Sequence, residues 1–146
     1  MKVQWQVRPF AALDIHALHA ILRLRGDVFV VEQRCIYPDV DGQDTDAWHV
    51  QGRADDGKLL AYARILPGTP PHIGRVVVHP DHRGHGLARA LMHEAMQATQ
   101  QLSGSAWVAV AAQTYLEPFY RSLGFTRKGP DYDWDGIPHV DMERPA

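Results

Sequence analysis

Arg83, Gly84, His85, Gly86, Leu87 and Ala88 follow a β-branched run and open an amphipathic stretch, so two glycines stand where the chain passes from strand to helix. Such a place can hold a phosphate. The first backbone N–H groups of a helix lack intrahelical partners, the helix dipole adds positive potential, and glycine lets a ligand approach the backbone closely. Arg83 adds a full charge beside them. Spacing narrows the choice of phosphate: a nucleotide P-loop needs GxxxxGK[ST], and no Gly-Lys-Ser or Gly-Lys-Thr occurs. A dinucleotide fold needs GxGxxG, and Arg89 stands where its third glycine would be. What remains is the pattern R-x-x-G-x-A.

Other clusters carry less. His79, His82 and His85 recur every third residue, but Pro80 and Gly84 prevent a helix that would converge them on zinc, so they read as solvated loop histidines. Asp39, Asp41 and Asp44 suggest calcium, yet counting from Asp39 the glycine and glutamate positions of an EF-hand loop hold Asp44 and Val50. Residues 38–46 read instead as a solvated turn, with the rival role of drawing in a cationic amine.

The elements that must position the glycine loop can be read from periodicity. Val3, Trp5 and Val7 alternate with polar residues as a half-buried strand closed by Pro9. Asp14 caps a helix running to about Val30, with Ile15, Leu18, Leu22 and Arg25 or Phe29 at helical spacing. Strands at 49–53 and 59–66 flank the hairpin signal Asp55-Asp56-Gly57, and the apolar run 73–78 predicts a central strand. Leu87, Leu91, Ala95, Ala98 and Leu102 share one face of the following helix. A strand at 107–112 follows. A short helix then starts with a Thr114–Glu117 capping box or with Pro118 at its first helical position, and stops at Gly124. Closing strands at 125–132 and 138–142 surround the turn 133–136. The order predicts an α/β sandwich in one domain, residues 1–146.

Composition sets limits. The chain has 146 residues, a net charge of -2 and a single cysteine, so it can bury a core without disulfides and lacks the general basicity of a nucleic-acid binder. Cys35 reads as a small buried hydrophobe in a reducing compartment, and with no signal-peptide pattern or membrane-length apolar run the expected location is the cytoplasm, off the membrane.

Arg83, Gly86 and Ala88, set between a fourth strand and a helix, resemble the acyl-CoA signature Q/R-x-x-G-x-G/A of the GNAT superfamily of N-acetyltransferases. Downstream, Gln113, Leu116, Phe119, Tyr120, Gly124 and Phe125 resemble that family's N-x-x-A-x-x-[LF]-Y-x-x-x-G-F segment, with Gln113 in place of Asn and Leu116 in place of Ala. The run Val28-Phe29-Val30-Val31-Glu32-Gln33, the Asp41-Gly42-x-Asp44 loop and Asp135-Gly136-Ile137-Pro138-His139 are similar to the ElaA-like group within it.

The resemblance implies a GNAT-like α/β sandwich with a central mixed, mostly antiparallel sheet flanked by helices, and acetyl-CoA as acyl donor without a metal. Backbone N–H groups of Arg83, Gly84, His85, Gly86, Leu87 and Ala88 would hold the CoA pyrophosphate, and Gln113 would also contact the cofactor. Val76, Val77 and Val78 would offer a splayed strand edge to the pantetheine arm, and an N–H near Val77 or Val78 would polarise the thioester carbonyl. Tyr120 stands at the position that protonates the departing thiolate. Transfer would be direct, with Cys35 not used as a nucleophile. Glu32 and His79 are the candidate bases, with His49 a third, and a water chain or a neutral acceptor would serve instead. The acceptor is an amine of a small molecule, peptide or protein, and oligomeric state stays open, a homodimer included. A non-catalytic acyl-CoA-binding module is the alternative reading.

Overall fold

The alternation at the start of the chain becomes β1 (Gln4–Pro9), an edge strand with Trp5 and Val7 turned inward. The computed structural model describes residues 2–146. Its other strands are β2 (Trp48–Arg53), β3 (Leu59–Leu66), β4 (His72–Val78), β5 (Val108–Gln113), β6 (Thr126–Arg127), β7 (Tyr132–Trp134) and β8 (Ile137–Arg144). They form one sheet in the order β1-β2-β3-β4-β5-β8-β6, with β7 also paired to β8. Every described pairing is antiparallel except β4 with β5.

Three α-helices cover the sheet: α1 (Ile15–Arg25), α2 (Leu87–Ser103) and α3 (Glu117–Ser122). The crossover between the two parallel strands is α2, as a parallel pair requires. Leu91, Met92, Ala95 and Ala98 of α2 pack with Val50, Ala63, Ile73 and Val110 on one face, where Tyr120, Leu123 and Phe125 join them. On the other face Ile21, Leu24 and Val28 meet Leu59, Tyr62 and Val77. Gly52 is required at the edge because the Trp5 ring lies over it: a Cβ there would stand 2.6 Å from Trp5 Cζ3.

Several expectations shift. Asp14 does cap α1, accepting from the Ala17 N–H at 2.7 Å, but the helix loses its α-helical pitch after Arg25. Gly26–Glu32 is a wider π-helical segment, continued by i to i+5 bonds from Gln33 N–H to Val28 C=O and from Cys35 N–H to Val30 C=O. The buried stripe is Ile21, Leu24, Arg25 and Val28: of the predicted line Arg25 lies on it, Leu18 and Leu22 are half-buried, and Ile15 is exposed. Leu102 also lies outside the core, in the last turn of α2. No capping box forms at α3: a short 3-10 turn precedes it, and the helix begins at Glu117, so Pro118 is its second residue rather than its first. The single strand predicted at 125–132 is split into β6 and β7, and Asp135-Gly136, both at positive φ, make the tight turn into β8.

None of the described helices is long and apolar enough to cross a membrane. Because α2 carries the glycine loop at its start, its docking decides where that loop sits. Leu91→Ala, emptying a site that is 0 % exposed, is expected to cost about 2–5 kcal/mol. Leu102→Ala should stay within about 0.5 kcal/mol in the same urea unfolding series.

Candidate active site

The two parallel strands hardly pair. A single register position joins them, His72 to Ala109, with the Ala109 N–H on the Pro71 carbonyl at 3.0 Å, and beyond it β4 and β5 part. Residues 76–78 therefore present a strand edge with no neighbour on the β5 side, which is the kind of edge an extended ligand can complete as an added strand.

On its other side β4 is bulged. Tyr62 pairs with Val77 and Arg64 with Gly74, so Arg75 and Val76 together oppose Ala63 alone. Arg75 accommodates the extra residue at φ 51, in the left-handed region, at a cost of roughly 1–2 kcal/mol for a residue with a Cβ. The bulge turns the backbone at the point where the seam opens.

The glycine loop lies just past β4. Gly84 and Gly86 sit at φ 83 and φ 77, and space is open where a Cβ would stand on either. Gly86 is the N-cap of α2 and provides no side chain to satisfy the first-turn N–H groups of Leu87 and Ala88, which are left for a ligand. Residues 83–88 thus have the open backbone that a pyrophosphate requires. Arg83 is less free than its position suggests. Its two terminal nitrogens donate to Glu32 at 2.7 and 3.0 Å, and its Nε donates to the Val78 carbonyl at 3.2 Å.

The last residue of the π-helical segment and those that follow it cross the opening between β4 and β5. Glu32 bonds Arg83 on the β4 side, Gln33 accepts from Gln113 Nε2 at 3.3 Å at the end of β5, and the Cys35 thiol donates to the Asp135 carbonyl at 3.3 Å. Tyr120 is buried, packed edge-to-face against Phe119 and Phe125 at 5.2 and 5.8 Å. Burial, with a small contribution from Tyr115, pushes its phenol up to about 12, and its hydroxyl has no hydrogen-bond partner among the described residues.

Each candidate base already takes part in a hydrogen bond. The hydrogen bonds from Arg83 hold the Glu32 carboxyl below its usual range. His79 Nδ1 accepts from the Asp81 N–H at 3.2 Å, and burial followed by nearby Lys58 lowers its pKa, so the neutral ring carries its proton on Nε2. His49 is 0 % exposed, with Nε2 against the Asp44 carbonyl and Nδ1 against the Tyr62 hydroxyl.

The predicted solvated turn is instead a buried ion cluster. Asp39 and Asp44 are 8 % and 6 % exposed, and Arg25 on α1 is 0 % exposed. Arg25 donates to Asp39 Oδ2 at 3.0 Å, to the Asp39 carbonyl at 2.7 Å and to Asp44 Oδ1 at 2.7 Å. Arg64 grips both oxygens of Asp41 at 2.9 Å and reaches Asp44 Oδ1 at 3.1 Å. Arg75 donates to the Asp39 carbonyl and to Asp41 Oδ2, and its Nε lies 3.0 Å from Asp39 Oδ1 in charge contact but without hydrogen-bond alignment. Three carboxylates meet three guanidinium groups, so these aspartates are not available to attract a cation from solution.

Residues 31–145 match the acetyltransferase (GNAT) domain. The chain belongs to the GNAT family. A UPF0039 protein of Schizosaccharomyces pombe is 46 % identical to it over 136 residues, covering 91 % of each chain. Protein ElaA of Escherichia coli is 39 % identical over 148 residues, covering 97 % of this chain and 96 % of ElaA. Among solved structures, an acyl-CoA N-acyltransferase from Pseudomonas aeruginosa superposes with a TM-score of 0.92 at 39 % identity, covering 98 % of this chain and 99 % of that one. E. coli ElaA superposes equally well, at 38 % identity over the same shares. Within this GNAT fold the three ElaA-like sequence segments become the π-helical segment, the ion cluster and the β7–β8 turn.

That Arg25, Arg64 and Arg75 border the site together was not readable from spacing. The one signal available was Arg25 standing on an apolar helix face. Two outcomes follow from the cluster. Asp44→Ala takes one charged hydrogen bond from each of two buried guanidinium groups, which keep Asp39 and Asp41 as partners, and should cost about 1–3 kcal/mol in urea unfolding. For Asp41, burial works to raise the pKa, but hydrogen bonds from Arg64 and the Gln43 N–H outweigh it and bring it to about 2. Its stabilisation is therefore complete above the unfolded-state value near 4 and is lost as pH falls toward 2, and Asp41→Asn should flatten that part of a stability–pH curve.

Proposed function

We propose that the protein is an N-acetyltransferase that passes the acetyl group of acetyl-CoA directly to an amine. The observation that carries this reading is the meeting, at one seam, of an unpaired strand edge and a helix N-terminus with open glycine backbone. The first suits a peptide-like arm and the second a pyrophosphate, and CoA joins both in one molecule. Acetyl-CoA supplies an activated acyl group when bound.

The chain's own residues then have separate tasks. Backbone N–H groups of residues 83–88 hold the pyrophosphate, with Arg83 giving up or sharing Glu32 to do so. The edge at residues 76–78 orients the thioester, and an N–H there polarises its carbonyl as the amine attacks. Tyr120, with its proton retained and its hydroxyl uncommitted, delivers that proton to the leaving thiolate. The lone pairs of His79 and His49 are taken up in hydrogen bonds, and Glu32, whether or not Arg83 releases it, is a weakly basic carboxylate, so the amine enters already neutral. The proton freed from nitrogen as it bonds the acyl carbon passes to water, and Tyr120 regains its proton from water. The acceptor is a small-molecule or peptide amine, and the lone, buried Cys35 suits work in the reducing cytoplasm.

The test is release of free thiol from acetyl-CoA across a panel of amines. Amine-dependent release is expected; binding of acetyl-CoA with no such release would identify a non-catalytic acyl-CoA-binding module instead. With a productive amine, Tyr120→Phe should lower kcat by about 10²–10⁴-fold. The pH profile should rise with deprotonation of the acceptor and show no falling limb up to about pH 10, since Tyr120 is still protonated there. Glu32→Gln and His79→Gln should leave the rising limb in place.

A further inference from the structure

We propose that Asp41 and Arg75 are positioning residues that hold the β4 bulge, and through it the backbone facing the acyl carbonyl. This rests on the acetyl-transfer reading and assigns the aspartate loop a task within it.

The bulge is gripped from both strands by one carboxylate. Arg64 stands on β3 opposite Gly74, immediately before the bulge, and donates to both oxygens of Asp41 at 2.9 Å. Arg75 is the bulged residue itself and donates to Asp41 Oδ2 at 3.2 Å. The same Arg75 guanidinium donates to the Asp39 carbonyl at 3.1 Å and lies over the Tyr37 ring, 5.2 Å from its centroid. Arg25, on α1, anchors the loop through Asp39 and Asp44. Arg75 is thus tied down by its side chain in a backbone conformation that a residue with a Cβ rarely adopts. A glycine at this position would adopt that φ freely. An arginine there makes sense if the side chain is what fixes the bend, and the bend sets how residues 76–78 face the seam. Only one bridge on the β5 side assists.

Two variants separate this from simple stabilisation. Arg75→Gly permits the left-handed φ but removes the tether; Asp41→Asn keeps the shape of the clamp and removes its charge. Acetyl-CoA labelled with ¹³C at the carbonyl is bound to each protein, and the carbonyl stretch is read by infrared difference spectroscopy beside the dissociation constant for CoA. In the native protein the stretch should move to lower frequency on binding. Both variants should lose at least half of that movement while CoA affinity stays within about threefold, and kcat with a productive amine should fall with little change in KM for acetyl-CoA. Unfolding midpoints show which variants are folded, and either folded variant suffices. A folded variant that keeps the full carbonyl shift would overturn the proposal and leave the pair a purely structural role. Acetyl-CoA binding to the native protein without a carbonyl shift would also overturn it, without touching cofactor binding. Failure of the native protein to bind acetyl-CoA at all would remove the acetyl-transfer reading itself.

Discussion

A strand inside a sheet must satisfy its backbone N–H and C=O groups on both sides, and β4 does so on only one. After the His72 to Ala109 position its ladder to β5 stops, although both strands are central in the sheet. An open seam inside a folded domain is costly unless water or a ligand completes it. The surrounding architecture keeps the seam open: β3 pairs along the other side of β4 except at the bulge, the bulge bends β4, and α2 carries the chain from β4 across to β5.

The crossover explains why the glycine loop lies where it does. A parallel pair needs a crossover, the crossover here is a helix, and the helix N-terminus necessarily follows the end of β4. The phosphate-binding backbone and the unpaired edge are therefore neighbours by topology. The segment after the π-helical turns meets both sides of the opening, so α1 and the seam are mechanically connected. Exposed ion pairs such as Glu32 with Arg83 contribute little stability, about 0–1 kcal/mol, and this pair is readily exchanged for another anion. The cluster of Arg25, Arg64 and Arg75 with three aspartates is different because it is buried. Apolar packing could match its stability, so its use lies in fixing one loop conformation and one bend.

Most of this scaffold was legible in the amino-acid pattern. Alternation identified β1, the turn signal Asp55-Asp56-Gly57 identified the strands on either side of it, and the run 73–78, apolar and β-branched apart from Gly74 and Arg75, identified the central strand. Strand, glycines and helix in succession marked the loop. What was hidden depends on contacts distant in sequence. Nothing near Asp41 signals that Arg64 and Arg75 will fold onto it, so a run of aspartates and turn formers looked solvated. Arg25, a charged residue on the expected stripe of α1, can be buried there because its charge is neutralised by Asp39, fourteen residues later, and by Asp44, and nothing in the helix itself announces those partners. The π-helical pitch after Gly26 is equally a tertiary outcome, since its β-branched residues have weak helix preference of their own. The engagement of Glu32 and His79 was also invisible, because proximity to a cleft does not reveal which lone pairs are taken.

The central claim is that the seam and the glycine loop together form one CoA site. Backbone amide resonances recorded while CoA is titrated into the isotope-labelled protein test it most directly. The account predicts that the largest shifts fall at once on residues 76–78 and 83–88, with Gln113 and Gln33 following. Saturable binding whose shifts spare both segments, or no saturable binding at all, would contradict it.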